Sequence, residues 1–292
     1  MEIVIRNSEH ADRFAAIFQH IKLFTDHIAI SCDASHMRMQ CMDNAHVAIL
    51  AMSLPAAWFD VYSLTGDETV RIGFNATFLH RILSSRDKEQ QIQLVFSFED
   101  SDRLMIHLTK PSDESLVPGS VPLVSVPLAT TSSKKEKKPT PQTNTFDKHF
   151  ELPLIDIDEE GLQIPDIEYT AELAMQSSQF ADIVTQLKMF GDTMEVQCSE
   201  ERIALASTSQ EQGKMFVEIG INDLTEFAID EGADLALSFS LTYLKYFCAY
   251  SRISELVSIK FGESYPMRIG YSLGETEDAN LVFHLAPKIN ED

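Results

Sequence analysis

The sequence predicts an α+β fold made of two similar domains, each with antiparallel sheets and two helices. Two observations lead to this prediction: the chain repeats itself, and each repeat alternates helical stripes with short strands. Its 292 residues are enough for two domains of ordinary size, each with its own core. We expect the domains at 1–150 and 166–292, with a connector at 151–165 between them.

The first repeated element is an amphipathic helix followed by a strand. Four apolar residues of the first copy align at one constant offset with four of the second: Phe14, Ile17, Phe18 and Ile21 with Phe180, Ile183, Val184 and Leu187. In both copies the spacing places the four on one stripe of a helix. Alternating strands are predicted after each helix, at His27–Ser31 and Met194–Cys198, and Cys32 aligns with Cys198 at the same offset.

A second pair of helices is predicted from a second match. It aligns two further apolar sets: Phe74, Phe78, Leu79 and Ile82 with Phe239, Tyr243, Leu244 and Phe247. We expect all eight residues to be helical, and strands to follow at Gln91–Phe98, Leu104–Thr109, Val257–Phe261 and Met267–Tyr271. Since short antiparallel strands must bury one face, the two helices of each half are expected to cover them.

The stretch 151–168 is predicted to be a strand end that runs into an extended, acidic connector. Gly161 and Pro165 interrupt any regular run, while several apolar residues can lie against a surface. This composition differs from that of a loose Gly/Ser tether. We therefore expect the connector to form one lip of a groove.

Residues 111–144 have no counterpart in the second half. They contain six of the eleven prolines and have no helical or sustained strand period, which predicts a long inserted loop with 146–152 as the returning strand. The lysine-rich run 134–138 is interpreted either as a solvated loop or as a nuclear-localisation or phosphate-contacting patch. The apolar part of the insert, 117–128, either is solvated or packs on the domain surface.

The composition excludes several classes of protein. A formal charge of −22 argues against a surface that coats nucleic acid non-specifically, although it leaves room for a small basic patch. The four cysteines have no zinc-ligand spacing and are expected to be free core thiols in a reducing compartment. No apolar run is long enough for a membrane helix, and we expect an intracellular protein without membrane contact.

A search for catalytic chemistry yields no candidate. The sequence has no phosphate-binding glycine motif, no nucleophile elbow, no HExxH and no paired-carboxylate motif, and its nine histidines are scattered. We expect no enzyme activity, no cofactor and no metal. The alternative to a binding protein is an enzyme with catalytic carboxylates in the cleft between its two domains.

The repeated helices carry more basic than acidic residues. The basic ones are Arg13, Lys22, Arg81, Lys188, Lys245 and Arg252, the last just beyond the fourth helix, and the acidic ones are Glu9, Asp12 and Asp182. A locally basic helical layer on an acidic body fits the backbone of a DNA duplex. Solvated faces of ordinary helices give a similar excess of basic residues. The excess therefore indicates a DNA-binding surface only in combination with the internal repeat.

Four segments together resemble the proliferating cell nuclear antigen family, the sliding clamps of eukaryotic-type DNA replication. They are MQCMDNAHVAILAMSL (39–54), LIDIDEEGLQIPDIEY (154–169), SSQFADIVTQLKMFGD (177–192) and LAPKINED (285–292). The resemblance covers nearly the whole chain except the insert. It implies a homotrimeric ring whose six domains surround double-stranded DNA, with helices lining the hole and sheets outside, without base readout.

The same resemblance implies a role and a set of partners. The clamp is not an enzyme; it tethers DNA polymerases, clamp loaders, flap nucleases and ligases and raises their effective concentration on DNA. The six basic residues above would face the DNA. The sequence departs from the family pattern at Asp182, Thr185 and Thr242, where basic residues are usual.

The resemblance also implies a pocket for a short partner peptide with a glutamine, an aliphatic and two aromatic residues. The matching positions are Met42, His46, Val47, Leu162, Ile164, Pro266, His284, Ala286, Pro287 and Lys288. These residues are mostly apolar, as a cup for aromatic anchors requires. His284 stands where the family usually has a tyrosine. Without the resemblance, the preferred interpretation of Val47, Leu162 and Ile164 is that they seal the domain junction; with it, the pocket is preferred.

Two alternatives among binding proteins remain. One is a subunit of a heteromeric or specialised clamp, and the other is a monomeric processivity factor. The long insert and the altered helix charges suggest a divergent lineage, and a large DNA virus is one such source. The expected location is therefore the nucleus, or a cytoplasmic viral replication site.

Overall fold

A computed structural model of the chain describes residues 1–66, 69–98, 100–111, 146–157, 164–165, 167–263, 265–276 and 278–288. The predicted α+β class with two similar halves is confirmed. All four cysteines are buried free thiols, as expected. The predicted insert lies almost entirely outside the described residues, as do Gly161 and Leu162 of the connector.

The first half contains nine strands and two α-helices within the described residues. Its elements are β1 (Glu2–Ile5), α1 (Ser8–His20), β2 (His27–Cys32), β3 (His36–Met42), β4 (Ala48–Pro55), β5 (Val61–Ser63), β6 (Val70–Asn75), α2 (Ala76–Leu83), β7 (Gln91–Ser97), β8 (Asp100–Thr109) and β9 (Lys148–Pro153). Short 3-10 turns lie at Ile21–Leu23 and Ala56–Trp58.

The second half repeats this order within its described residues. Its elements are β10 (Ala171–Gln176), α3 (Ser177–Leu187), β11 (Thr193–Ser199), β12 (Ile203–Ser209), β13 (Gly213–Ile219), β14 (Glu226–Ile229), β15 (Asp234–Ser240), α4 (Leu241–Cys248), β16 (Leu256–Phe261), β17 (Met267–Ser272) and β18 (Asn280–Leu285). A 3-10 turn lies at Ile221–Asp223.

The second helix of each half begins later than the sequence predicted. Phe74 and Phe239 are not helical; they lie near the ends of β6 and β15. In the first half the reason is Asn75, whose extended backbone continues the strand and whose side chain caps α2 by accepting a hydrogen bond from Phe78 N at 3.1 Å. The aligned phenylalanines are therefore buried strand residues that precede each helix.

Each half also begins with a strand that the sequence analysis missed, β1 or β10. β1 consists of Glu2, Ile3, Val4 and Ile5, three of which are buried, so it shows no alternation of apolar and polar residues. A short strand buried on both faces cannot be recognised by a period of two.

The strands form three sheets. A five-stranded sheet has the order β5-β1-β7-β8-β9, a four-stranded sheet has the order β13-β12-β11-β15, and a nine-stranded sheet has the order β14-β10-β16-β17-β18-β4-β3-β2-β6. The nine-stranded sheet crosses the domain boundary, because β18 pairs antiparallel with β4 from Asn280 opposite Ser53 to Leu285 opposite Ala48. The two halves therefore share one continuous sheet.

The helices form a layer that packs against the sheets. The predicted stripe of α1 is confirmed: Phe14, Ile17 and Phe18 are buried, and Ile21 follows them into the core. Within each half the two helices pack against each other. At the boundary the hydroxyl of Tyr250, two residues beyond α4, donates to the Ile17 carbonyl of α1 at 3.1 Å, so the two pairs of helices adjoin there.

Aromatic rings fill the core where the two halves meet. Phe283 on β18 is fully buried and stacks on Phe247 with ring centroids 4.5 Å apart. Phe24 from the first half stacks on both of these rings, and Tyr250 and Tyr271 complete the cluster. Because this cluster draws on both halves, apolar burial as well as strand pairing holds them together.

Candidate functional site

A tight turn between β3 and β4 is built around the buried carboxylate of Asp43. Its Oδ1 accepts hydrogen bonds from the backbone N–H groups of Val47 and Ala48, both at 2.7 Å, and its Oδ2 accepts one from Ala45 N at 3.0 Å. His46 has a positive φ of 58°, which the turn requires and which side chains other than glycine adopt at a cost. The carboxylate therefore fixes the backbone that presents His46 and Val47.

Helix α4 of the second half reaches the same carboxylate. The Tyr243 hydroxyl donates to Asp43 Oδ2 at 2.6 Å. Burial alone raises the pKa of Asp43, but the Tyr243 hydroxyl and the three backbone donors outweigh it, so the pKa lies below its usual value. Burial and the bond to Asp43 raise the pKa of Tyr243 to about 12. The turn of one half is thus tied to the helix layer of the other.

Several predicted pocket residues lie together at one end of the shared sheet. Met42 lies opposite Ile49, and Ile49 lies opposite His284, so the three form one row across β3, β4 and β18 on the face away from the helices. Ala286 N donates to the Val47 carbonyl at 3.0 Å, which brings the C-terminal segment against the turn. Met42 and Val47 are half-buried, and His46 is exposed.

The remaining predicted pocket residues lie at several positions around this row. Pro266 immediately precedes Met267, which pairs with Leu285, and Pro266 and Pro287 are half-buried at the same end of the sheet. Lys288 is held within its own half: its Nζ donates to Thr193 Oγ1 at 2.6 Å, and its backbone N–H donates to the Ser238 carbonyl at 2.7 Å. Ile164 is half-buried, and Leu162 lies outside the described residues.

His284 is a buried histidine within this row, 8% exposed. Burial, with a contribution from the positive charge of Arg268 on the adjacent strand, lowers its pKa to about 4. The imidazole is therefore neutral at physiological pH. It therefore contributes an aromatic surface rather than a charge to the row of Met42, Ile49 and His284.

The predicted basic residues of the helix layer fall into two groups. Lys22, Arg81, Lys245 and Arg252 are exposed, and the Arg81 guanidinium lies 5.7 Å from the ring centroid of Phe78. Arg13 is tied down, because it donates to the Leu273 carbonyl at 3.1 Å and pairs with Glu9 at 2.6 Å. Lys188 pairs with Asp192 and donates to Thr242 Oγ1 at 2.8 Å.

Two histidines near Lys22 were missed by the sequence analysis. Burial lowers the pKa of His20, and the neighbouring His80 and Lys22 lower it further. Burial and Lys22 likewise lower the pKa of His80. Both rings are therefore neutral donors or acceptors beside Lys22 at pH 7.

The described residues contain neither a candidate metal site nor a candidate membrane-spanning helix. No group of three or more histidine, cysteine, aspartate or glutamate side chains that could hold a metal ion occurs in the described ranges. No helix among the described residues is long and apolar enough to cross a membrane.

Comparison with known proteins decides the relationship. The family model for the N-terminal domain of proliferating cell nuclear antigen matches residues 7–130, and the model for its C-terminal domain matches residues 163–289. The chain belongs to the proliferating cell nuclear antigen family. Proliferating cell nuclear antigen of Chaetomium thermophilum is 28% identical over 289 residues, which cover 97% of each chain.

Membership of the proliferating cell nuclear antigen family assigns the general role. Its members are sliding clamps, multimeric processivity factors of DNA replication and repair that act as non-enzymatic scaffolds. The expectation that the chain is not an enzyme is confirmed by this membership, and the alternative of a two-domain enzyme is wrong.

The sequence analysis missed four residues at this site: Asp43, Tyr243, Ile49 and Arg268. Asp43 had a recognisable signal, because an aspartate followed by Asn44 and Ala45 is typical of a turn capped by its own side chain. The contact between Asp43 and Tyr243 had no recognisable signal in the sequence. The two residues are far apart in the chain and meet only because β4 pairs with β18.

We expect Tyr243→Phe to lower the free energy of unfolding by about 1.5–3 kcal/mol, because a hydrogen bond to a buried carboxylate is lost. Urea unfolding at a fixed protein concentration measures this change. Tyr246→Phe, on the same helix, is the matched control. In a double-mutant cycle with Asp43→Asn the two losses should not add, and fully additive losses would show that the residues do not interact.

The lowered pKa of His284 predicts a pH dependence of stability. The unfolded chain binds a proton near pH 6.5, whereas the folded chain does so near pH 4, so the free energy of unfolding falls as the pH drops between these values. We expect His284→Phe to reduce the fall by up to about 3 kcal/mol relative to wild type. Urea unfolding at pH 7 and pH 4.5 tests this, and equal falls in both proteins would contradict it.

Proposed function

We propose that the protein is a sliding clamp that closes as a homotrimer around double-stranded DNA. In this role it recruits DNA polymerase, clamp-loader, flap-nuclease and ligase type proteins through short peptide motifs. One observation supports this proposal best. The edge strands β9 and β13 correspond, in the internal repeat, to β18 and β4, which pair with each other inside the chain. The location that fits is the nucleus, or a cytoplasmic viral replication site if the source is a large DNA virus.

The pairing of β18 with β4 is a template for the contact between copies. In the internal repeat β9 corresponds to β18, and β13 corresponds to β4. Within the described residues β9 ends the five-stranded sheet and β13 ends the four-stranded sheet. Joining these edges between two copies would reproduce the nine-stranded sheet, and a head-to-tail contact of this kind generates a ring when the rotation closes.

The internal register can be transferred to this contact. Phe150 is the counterpart of Phe283, since each lies opposite an isoleucine of the preceding strand, Ile106 or Ile269. Counted along the hairpins from the aligned Cys32 and Cys198, Met215 is the counterpart of Leu50. Phe283 pairs with Leu50, so Phe150 would face Met215 of a second copy.

One step along the same register places opposite charges together. Glu151 of one copy would lie opposite Lys214 of the next, and both side chains are exposed in the single chain. Large apolar side chains also remain open beside these edges: Phe216 on β13 is 51% exposed, and Phe146 before β9 is 71% exposed. A second copy would cover apolar surface that a monomer leaves in water.

The exposed lysines and arginines of the helix layer fit loose contact with DNA phosphates. Lys22, Arg81, Lys245 and Arg252 are long and mobile, and a few such contacts give weak, sequence-independent attraction. Arg13 and Lys188 belong to the same proposed surface, although each has a partner within the chain. In an acidic chain, retention on DNA would then depend mainly on ring closure.

The row of Met42, Ile49 and His284, with the turn at Val47, fits the aromatic anchors of a partner peptide. The proposed pocket contains all ten positions named from the resemblance, including Leu162 of the connector, for which the structure describes no contacts. Its walls are apolar and its backbone is fixed by Asp43.

Cysteine pairs test the ring and its register together. We expect Glu151→Cys combined with Lys214→Cys to cross-link between chains under mild oxidation, because residues directly opposite on paired strands lie within disulfide reach. The native cysteines are buried, so they should not interfere. Glu151→Cys with Glu218→Cys, four residues out of register, is the control.

Light scattering of the wild-type protein across a concentration series should give a mass near three times 32.9 kDa. A mass near one chain, with no cross-linking of the matched pair, would instead favour a heteromeric clamp or a monomeric processivity factor.

Two sets of substitutions should separate DNA contact from partner binding. Lys22→Glu with Arg81→Glu should weaken clamp-dependent DNA synthesis at physiological salt and leave peptide affinity unchanged, since both side chains lie in the helix layer. Ile164→Glu should abolish binding of an anchor peptide and leave the ring mass unchanged. Unchanged synthesis in the first variant, or unchanged peptide affinity in the second, would contradict the corresponding surface.

A further inference from the structure

The row of Met42, Ile49 and His284 continues onto the next strand of the shared sheet, where Arg268 on β17 lies directly opposite His284. Residues that lie opposite each other on paired strands have their side chains on the same face of the sheet. Pro266, another predicted pocket residue, lies two positions before Arg268, just ahead of the strand. Arg268 therefore borders the proposed peptide pocket on its outer face.

Arg268 lacks an acceptor in the part of the chain that the structure describes. The residue is half-buried, and it forms neither a hydrogen bond nor an ion pair with any described residue. Lys260, which lies opposite it on the other side, is by contrast paired with Glu172 at 2.7 Å. Because a half-buried guanidinium without an acceptor is poorly compensated, an anion that reaches it is favoured.

The guanidinium of Arg268 is held against the strand rather than extended into solvent. Gly270 is the next residue of β17 on the same face, and a Cβ atom at that position would lie only 3.1 Å from Arg268 Nη1. Glycine therefore leaves open the space that the guanidinium occupies. A side chain that is already confined in this way loses less conformational entropy when it binds a partner.

The charges around Arg268 leave its positive charge in excess. Lys260 and Glu172 neutralise each other, and the imidazole of His284 is neutral at pH 7 because its pKa is lowered to about 4. The whole chain carries a formal charge of −22, so most of its surface repels an acidic peptide. A cation without an ion-pair partner among the described residues, at the border of the pocket, attracts such a peptide at one defined point.

We propose that Arg268 binds the carboxylate of an acidic residue on the same partner peptide whose aromatic anchors occupy the pocket. Arginine suits this role because its planar fork can donate two parallel hydrogen bonds to one carboxylate. The contact makes Arg268 a specificity determinant of the clamp: it favours peptides that carry an acidic residue close to the anchors.

The strand spacing limits where the acidic residue lies in the peptide. Neighbouring strands are about 4.8 Å apart, so the backbone of Arg268 is about 5 Å from that of His284 and about 10 Å from that of Ile49. An extended peptide covers about 10 Å in three residues. The acidic residue therefore lies within about three residues of an anchor.

This inference rests on the proposed function of the pocket, and its test uses the full-length clamp. The probes are fluorescent peptides with a glutamine, an aliphatic and two aromatic anchors, and with serine at the other positions. Glutamate replaces serine at one position at a time, from three residues before the first anchor to three residues after the last, and a second series carries lysine instead. Fluorescence anisotropy gives each dissociation constant.

We expect at least one position at which the glutamate peptide binds wild type about fivefold more tightly than the serine peptide. Arg268→Gln should bring the ratio of the two dissociation constants at that position close to one. Arg268→Glu should shift the preference there towards the lysine peptide, because the attraction depends on the sign of this one charge. Arg202→Gln, at an exposed arginine of another sheet, is the matched control and should keep the wild-type ratio.

The outcomes separate this contact from the pocket itself. If no position shows a preference for glutamate in wild type, including the case in which acidic residues of the connector already occupy Arg268, this inference alone is overturned. A preference that survives in Arg268→Gln also overturns it. Failure of every peptide to bind wild type, the serine peptide included, would overturn both the contact and the proposed pocket.

Discussion

The antiparallel pairing of β4 with β18 is the interaction on which the rest of the structure depends. It joins a four-stranded element of the first half to a five-stranded element of the second. On one face of the resulting sheet it places Met42, Ile49 and His284 in one row, and on the other it brings Ile17 of α1 against Tyr250, which follows α4. Both candidate surfaces of the clamp exist only because these two strands meet.

The same pairing explains why a buried charge is tolerated beside the proposed pocket. Asp43 follows directly after β3 in the first half, and Tyr243 lies on α4 of the second, so their hydrogen bond forms only once the halves have docked. An ionised carboxylate in such a position is costly unless donors surround it, and here four donors do so. The geometry of the turn, the docking of the two halves and the shape of the proposed pocket therefore depend on one hydrogen-bonded unit.

The sequence predicted what depends on local periodicity and missed what depends on distant pairing. The stripe of Phe14, Ile17 and Phe18 fixed the position of α1, because helical spacing is a property of neighbouring residues. Phe74 was assigned to a helix wrongly, since an apolar residue just before a cap has the same spacing as one just after it.

For the candidate site, the resemblance located residues that spacing alone could not. Met42, Val47 and His284 are far apart in the chain, and the structure brings them to one end of the sheet. The contact of Asp43 with Tyr243 depends on the register of several strands, which a single sequence does not specify.

The aromatic cluster has a mechanical consequence. Phe24, Phe247 and Phe283 form a stack of three rings at the joint within the chain, whereas one of their counterparts, Phe190, Ile82 and Phe150, is not aromatic and cannot complete such a stack between chains. In a trimeric ring, stiff and yielding joints would alternate, so an opening torque would part the ring between chains while each chain swings as a rigid crescent.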